Sequence, residues 1–271
     1  MPELPEVETT LRGILPTLLH STIDQVIVRN RSLRWPVPDG LEAKLAGQTV
    51  ENVARRGKYL LIGTPAGTAM LHLGMSGSLR VLDSGIPPEK HDHVDIALTS
   101  KKVIRFNDPR RFGSLLWAGD QPFAHPLLAA LGPEPLSDTF AGSTLYNAGR
   151  NRQVAIKQLI MNSNIVVGVG NIYASESLFR AGINPARKAG RLSRARYDRL
   201  ATEIKRVLSE AIKMGGTTLR DFHNAEGKPG YFKIKLQVYD RAGKPCNICA
   251  QPIKHRVQGQ RATYYCSECQ T

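Results

Sequence analysis

The chain has 271 residues, 41% of them hydrophobic and 22% charged, which supports one or two packed cores and excludes an intrinsically disordered chain. Its 37 lysines and arginines against 23 acids leave a formal charge of +14, which points to a polyanionic partner. No run reaches the ~18 consecutive apolar residues of a membrane helix, because the best candidate, 59–75, is broken by Gly, Pro and His.

In chain order, the opening MPELPEVETT is acidic and has no apolar stretch of the secretory kind, so a reducing cytoplasmic setting is expected. A helix is legible almost at once. Pro5 suits a first turn, Glu6 and Glu8 complement the dipole there, and Val7, Leu11, Ile14, Leu15 and Leu18 share a face. After Pro16 the texture changes to about eight short apolar or alternating runs: 23–28, 50–53, 59–62, 70–73, 78–82, 93–98, 103–106 and 114–117. Turn residues separate them without intervening helices, which predicts an antiparallel sandwich or barrel. The segment LGPEPLSD at 131–138 is rich in Pro and polar residues and is read as the start of a linker over 134–150, closing an N-terminal domain of residues 2–133. Helical periodicity returns at 154–161, 172–180 and 197–214, so residues 151–235 form a helical domain, and 236–271 a last small one. The whole excess charge lies in the second half. Residues 1–140 hold 15 basic and 15 acidic side chains, and 141–271 the other 22 and 8. The basic stretch 186–199 carries few large apolar residues, which favours nucleic acid over a membrane surface.

All four cysteines fall in the last 26 residues, as Cys246-x-x-Cys249, sixteen residues, then Cys266-x-x-Cys269. Two such knuckles at this spacing predict a four-cysteine zinc site in preference to disulfides or free thiols. With four ligands filling the shell, the zinc (one Zn2+ per chain) is structural. Between the pairs, runs at 253–257 and 262–265 flank Gln258-Gly259-Gln260, a hairpin with Lys254, His255, Arg256 and Arg261 around its tip.

Pro2 carries a chemical possibility as well as a structural one. Removal of an initiator methionine exposes a secondary α-amine, whose pKa near ~8 leaves a neutral nucleophilic fraction at physiological pH. Glu3 and Glu6 are close enough in sequence to exchange a proton with it. The same residues also read as an ordinary helix start.

PELPEVE at 2–8, RRGKYLL at 55–61, HLGMSGSLR at 72–80, KHDHVD at 90–95, NDPRRFG at 107–113, VVGVGNIYASE at 166–176 and GKPGYFKIKLQVYDR at 227–241, with the ribbon ending RATYYCSECQ, together resemble the formamidopyrimidine-DNA glycosylases over essentially the whole chain. The resemblance implies an α+β, multidomain fold: an N-terminal antiparallel β-sandwich with flanking helices, a helix–two-turn–helix module and a C-terminal zinc-ribbon finger, with DNA bound between the halves. It implies a bacterial, cytoplasmic DNA glycosylase and AP lyase that excises oxidised purines from double-stranded DNA, as a monomer without a nucleotide cofactor. A sister family acting on oxidised pyrimidines shares Pro2, Glu3, the helical module and the finger, but Leu4 and the MSG and DPRRFG segments favour the purine branch. A zinc-ribbon protein that binds DNA without catalysis would have no need of the N-terminal proline and its acids.

By the same resemblance, Pro2 is the nucleophile that forms a Schiff base at C1′, and Glu3 is the proton donor. Glu6 orients the amine or caps the helix. Lys58 matches the lysine of β-elimination, with phosphate binding as a second role. Arg261 matches the arginine of δ-elimination, although a guanidinium with pKa above ~12 is better suited to clamping phosphate. Met75, Arg110 and Phe112 match side chains inserted where the flipped base leaves a gap. His91, Arg110, Arg152, Lys157 and Asn171 are expected DNA contacts, Asn171 at a glycine-rich helix start. Thr217, Arg220 and Tyr231 belong to the segment implied to close over the flipped purine, with Arg220 where some relatives have lysine.

Overall fold

The structure, a computed structural model, describes residues 2–216 and 236–271. They form two compact units: residues up to Ala129 with Met214–Gly216, and Ala130–Lys213 with 236–271.

The first unit begins with helix α1 (Leu4–Leu18), whose N-cap is Glu3 in extended conformation. Pro5 lies in its first turn, where a missing N–H breaks no helical bond, and the Glu6 carboxylate accepts the Glu3 backbone N–H at 2.8 Å. Val7, Ile14 and Leu18 bury the apolar stripe. Strand β1 (Ile23–Val28) is followed by a five-residue helix, α2 (Leu41–Leu45), which the sequence reading did not anticipate because so short an element shows no period. Seven strands follow: β2 (Asn52–Arg56), β3 (Tyr59–Thr64), β4 (Gly67–His72), β5 (Ser78–Asp83), β6 (Asp92–Leu98), β7 (Lys102–Asn107) and β8 (Ser114–Gly119). The short helix α3 (Pro126–Ala129) completes the unit.

The eight strands pair as two antiparallel four-stranded sheets, ordered β1-β6-β7-β5 and β2-β3-β4-β8, as the sandwich expectation required. One core joins them: Leu79, Val94, Ile96, Ile104 and Phe106 from the first sheet, with Leu60, Ile62, Leu71 and Leu115 from the second. The chain passes between sheets at 73–77 and again at 108–113. His72 pairs with Ser114, and Ser78 with Asn107, so these two crossovers run side by side. Tyr59 pairs with His72 in the same row, which brings the two-residue β2–β3 turn, Gly57-Lys58, to that end of its sheet.

Away from the core, the first sheet carries a charge ladder. Asp95 on β6 accepts two bonds from Arg105 on β7, both 2.8 Å, and one from Arg29 beyond β1 at 2.6 Å. Arg105 also donates to the Ile86 and Pro87 carbonyls, so this ladder holds the loop that leads to His91.

In the second unit, α4 (Gly142–Gly149), α5 (Ile156–Ile160), α6 (Asn171–Arg180) and α7 (Arg194–Lys213) precede the hairpin β9 (Lys254–Gln258) and β10 (Arg261–Tyr265). The expected linker over 134–150 therefore contains a helix. Helix α4 packs on α7, with Leu145 fully buried and Gly142 and Gly149 set against Asp198 and Tyr197 where no side chain would fit. Its small residues weaken the hydrophobic period, yet they are what allows the close approach. The four-cysteine segment packs on the helices too. Phe179 of α6 shares a cluster with Val238, Cys246, Ile253 and Cys266, and buried Glu176 accepts the backbone N–H groups of Gln237, Val238 and Tyr239. Among the described residues, no helix is long and apolar enough to cross a membrane.

Candidate active site

Pro2 and Glu3 are buried at the start of α1, and Glu6 is wholly buried one turn on. Of the two roles weighed for Glu6, the geometry displays the cap: its carboxylate closes the helix end that carries Glu3. Lys58 lies on the β2–β3 turn. Arg55 ties that turn to α1, since its Nε donates to Glu8 Oε2 and its Nη1 to the Gly57 carbonyl, both at 2.9 Å. Burial raises the Glu8 carboxyl, but Arg55 and Arg12 outweigh it and leave the group below its ordinary range, so the tie is charged at neutral pH.

His72, passed over in the sequence, stands in the same row. Its ring meets Tyr59 at 4.8 Å between centroids, and its Nδ1 accepts the Gly74 N–H at 2.9 Å. Burial, then the Lys58 and Arg34 cations, push the imidazole down to about 4. It is therefore a neutral ring with its proton on Nε2, beside two cations. A histidine's tautomer depends on its neighbours, which is why no pattern in the chain announced it.

The crossovers bring three of the proposed inserting residues together. Met75 and Phe112 are exposed large apolar side chains, and the Arg110 guanidinium lies 5.0 Å from the Phe112 ring centroid. His91 joins them through its carbonyl, which accepts the Asp108 N–H at 3.0 Å.

In the second unit, Lys157, Asn171 and the hairpin converge. Lys157 was expected to touch DNA, but its side chain is 1% exposed and its ammonium donates to Ala262 O at 3.1 Å and Thr263 Oγ1 at 2.8 Å. Buried against these polar acceptors, the Lys157 ammonium holds β10. Asn171, the first residue of α6, donates to the same Ala262 carbonyl at 3.0 Å. Their shared target adjoins Arg261, whose side chain is exposed beside the hairpin turn. Gly259 and Gln260 take φ of 54° and 59°, the left-handed pair that a two-residue turn of this hand requires. Arg152 is exposed just before α5. Thr217, Arg220 and Tyr231 lie outside the described residues.

The four cysteine sulfurs lie within 4.8 Å of one another, with Cys249 and Cys266 at 3.4 Å and Cys246 and Cys269 at 3.9 Å. These separations exceed a disulfide's ~2.05 Å and match the ~3.8 Å edge of a tetrahedron with metal–sulfur bonds of ~2.3 Å. The donor set therefore fits one tetrahedral metal ion.

Known proteins match this chain along nearly its whole length. Family models match for the formamidopyrimidine-DNA glycosylase N-terminal domain over residues 1–115, the H2TH domain of the same enzymes over 131–223, and the zinc finger found in FPG and IleRS over 243–271. The formamidopyrimidine-DNA glycosylases of Stutzerimonas stutzeri and Methylococcus capsulatus are 56% and 57% identical to it over 270 residues, covering 100% of each chain. Among solved structures, the MutM (Fpg) protein of Thermus thermophilus superposes with a TM-score of 0.89 at 37% identity, covering 99% of this chain and 98% of that one. The Lactococcus lactis Fpg in complex with abasic-site DNA gives 0.92 at 30% identity, covering 99% of both. With three consecutive domain models and full-length relatives above half identity, the chain belongs to the formamidopyrimidine-DNA glycosylase family.

Proposed function

We propose that the chain is a DNA glycosylase and AP lyase of base excision repair, acting on oxidised purines (8-oxoguanine and formamidopyrimidines) in double-stranded DNA. The observation that carries the reading is the full-length match to enzymes of that name, joined to a Pro2-Glu3 pair buried at the head of a capped helix. Lactococcus lactis relatives of the same fold are bound to DNA containing Fapy-dG or an abasic site.

The chemistry follows from the residues. The Pro2 amine, released by removal of Met1, attacks C1′ while the glycosidic electron pair leaves with the base. Glu3 supplies a proton as the sugar ring opens, and an iminium joins Pro2 to C1′. Loss of the C2′ proton then breaks the C3′–O bond, a step for which Lys58, held by the Arg55 tie, is the suited proton carrier. The second elimination breaks the C5′–O bond, and Arg261 clamps the phosphate released. These steps are redox-neutral, so they call for no nucleotide cofactor.

Base release from a duplex needs extrusion of the nucleotide, at a cost of a few kcal/mol. Met75 and Phe112 supply apolar wedges and Arg110 a donor for the orphaned partner base. His91, Arg152 and Asn171 hold the backbone. Cys246, Cys249, Cys266 and Cys269 hold zinc, which supplies cross-linking of the finger and no catalytic step. By the family resemblance, the segment that holds Thr217, Arg220 and Tyr231 is the one that covers the extruded purine, with Arg220 offering a different donor geometry from the lysine of some relatives.

Borohydride trapping on two duplexes tests this reading. One carries 8-oxoguanine opposite cytosine and the other an oxidised pyrimidine. A covalent adduct mainly with the first, lost in Pro2→Gly while undamaged-DNA binding survives, is expected. An adduct mainly with the second would move the chain to pyrimidine lesions, and no adduct from protein with a verified Pro2 terminus would overturn the enzymatic reading.

A further inference from the structure

Between the two crossovers sits one carboxylate that the proposed chemistry does not use. Asp108 opens the Asp108-Pro109-Arg110-Arg111-Phe112-Gly113 turn and is 0% exposed. Its Oδ1 accepts the Ser76 hydroxyl at 2.7 Å and the Arg110 N–H at 3.3 Å, and its Oδ2 accepts the Gly113 N–H at 2.7 Å. The Arg110 N–H is shared with Ser76 Oγ at 3.2 Å, and the Asp108 carbonyl accepts from His93 Nε2 at 2.8 Å. One side chain thus grips both ends of its own turn and, through Ser76, the Met75 turn.

The backbones fit as closely. A side chain on Gly74 would collide with the backbone of Phe112 and Gly113, and Gly74 also sits at φ +66°. Arg111 takes φ 56°, a left-handed conformation costly for a non-glycine residue and sustained only where its surroundings fix it. The Met75 turn closes through the Gly77 N–H to the Leu73 carbonyl at 2.9 Å. The framework presents Met75 from one turn and Pro109–Phe112 from the other, all exposed, while Ser76 and Asp108 behind them are buried.

We propose that Asp108 is a positioning residue for base extrusion, coupling the Met75 turn to the Arg110–Phe112 turn so that the three side chains enter the duplex as one preformed wedge. The inference rests on the insertion role proposed above and adds the group that makes insertion concerted. Two separate turns would each have to be ordered as they entered the stack, whereas a bracketed pair is already in its working geometry. Chemistry at C1′ itself needs no wedge. The dependence on Asp108 is therefore confined to substrates whose base is stacked and paired.

The test uses full-length, zinc-loaded Asp108→Asn and Ser76→Ala, of which the second removes only the hydroxyl that links the turns. Each is measured on an 8-oxoguanine:cytosine duplex with 2-aminopurine beside the lesion, and on a single strand containing a preformed abasic site. Wild type run in parallel shows first whether the lesion is excised at all, so failure of the proposed function is seen separately. Expected is a fall of about tenfold or more in the excision rate and a slowed fluorescence rise on the duplex, with borohydride trapping on the single strand within about twofold of wild type. Combining either variant with Met75→Ala should cost far less than the product of the separate losses. Equal loss on both substrates, unchanged duplex excision in both variants, or multiplicative losses with Met75→Ala would each overturn the assignment.

Discussion

At the scale of single residues, the site is built by neighbours that alter ordinary side chains. His72 is the clearest case, with a depressed folded-state value near 4 against an ordinary 6.5. Its neutral form is favoured by the fold, so the stability it contributes is complete above about pH 6.5 and is lost as pH falls toward 4. An NMR titration should show the His72 ring unprotonated at pH 5.5, and Lys58→Ala should move its midpoint upward by removing a nearby cation. A midpoint near 6.5 in the wild type would contradict the burial argument. Arg55 acts by geometry instead. Arg55→Ala frees the Gly57-Lys58 turn from Glu8, and the expected result is strand cleavage slowed by about tenfold while the borohydride adduct still forms. Arg55→Lys should recover little, because one ammonium cannot reproduce two guanidinium bonds in a fixed fork. Parallel loss of adduct and cleavage would make Arg55 a general structural residue. The four cysteines were legible because their meaning lies in spacing, whereas Pro2 and Glu3 also read as an ordinary helix start and took their expected roles from the family resemblance. Asp108 and His72 were not, because each depends on strand register that sets separate segments side by side, Ser76 against Asp108 and Tyr59 against His72.

At the scale of elements, the charge ladder on the first sheet explains how a strand can carry buried arginine beside a hydrophobic core. Asp95 lies between Val94 and Ile96, and Arg105 between Ile104 and Phe106, so strand alternation sends the charges to one face and the apolar groups to the other. Burial alone would raise the Asp95 carboxyl; Arg105 and Arg29 more than offset it, and the group lies below its ordinary value. A lowered carboxyl contributes stability that is present above the unfolded value near 3.9 and is lost as pH falls through the folded one. Denaturant melts should therefore show, beyond the loss linked to His72, a further loss of stability at strongly acidic pH. Asp95→Asn should cost about 1.5–3 kcal/mol at pH 7, by removing the charge that Arg105 and Arg29 share while Arg105 keeps Asp92 at 3.6 Å and the Ile86 and Pro87 carbonyls, and should flatten that acid dependence. A variant as stable as the wild type would show the ladder to be dispensable. The strands themselves were readable to within a few residues because apolar alternation marks them. Helix α4 was not, because glycines and small polar residues make its contact by close approach.

At the scale of the whole molecule, charge and metal serve the same end. The first 140 residues are neutral in sum and the remainder supplies the +14, so the affinity for DNA should fall steeply with salt. The finger brings part of that charge to bear, and its hold on the helices is specific. Glu176 grips residues 237–239, Gln270 donates to the Ile183 carbonyl at 2.9 Å, and Lys157 with Asn171 holds Ala262 next to Arg261. A finger of this size has too little apolar core to fold without its cross-link. Removing the metal should therefore release β9 and β10, displace Arg261 and expose Phe179, while the sandwich that carries Pro2, Lys58 and the paired crossovers keeps its own core. Chelation should weaken DNA binding by at least tenfold in a gel-shift assay and flatten its salt dependence. Borohydride trapping on abasic DNA should recover when DNA is raised above the weakened dissociation constant, because the amine and its acids stand on the other unit. Metal-free protein that binds at full strength would deny the finger this role, and trapping that stays absent at saturating DNA would show that the metal supports the Pro2 chemistry itself.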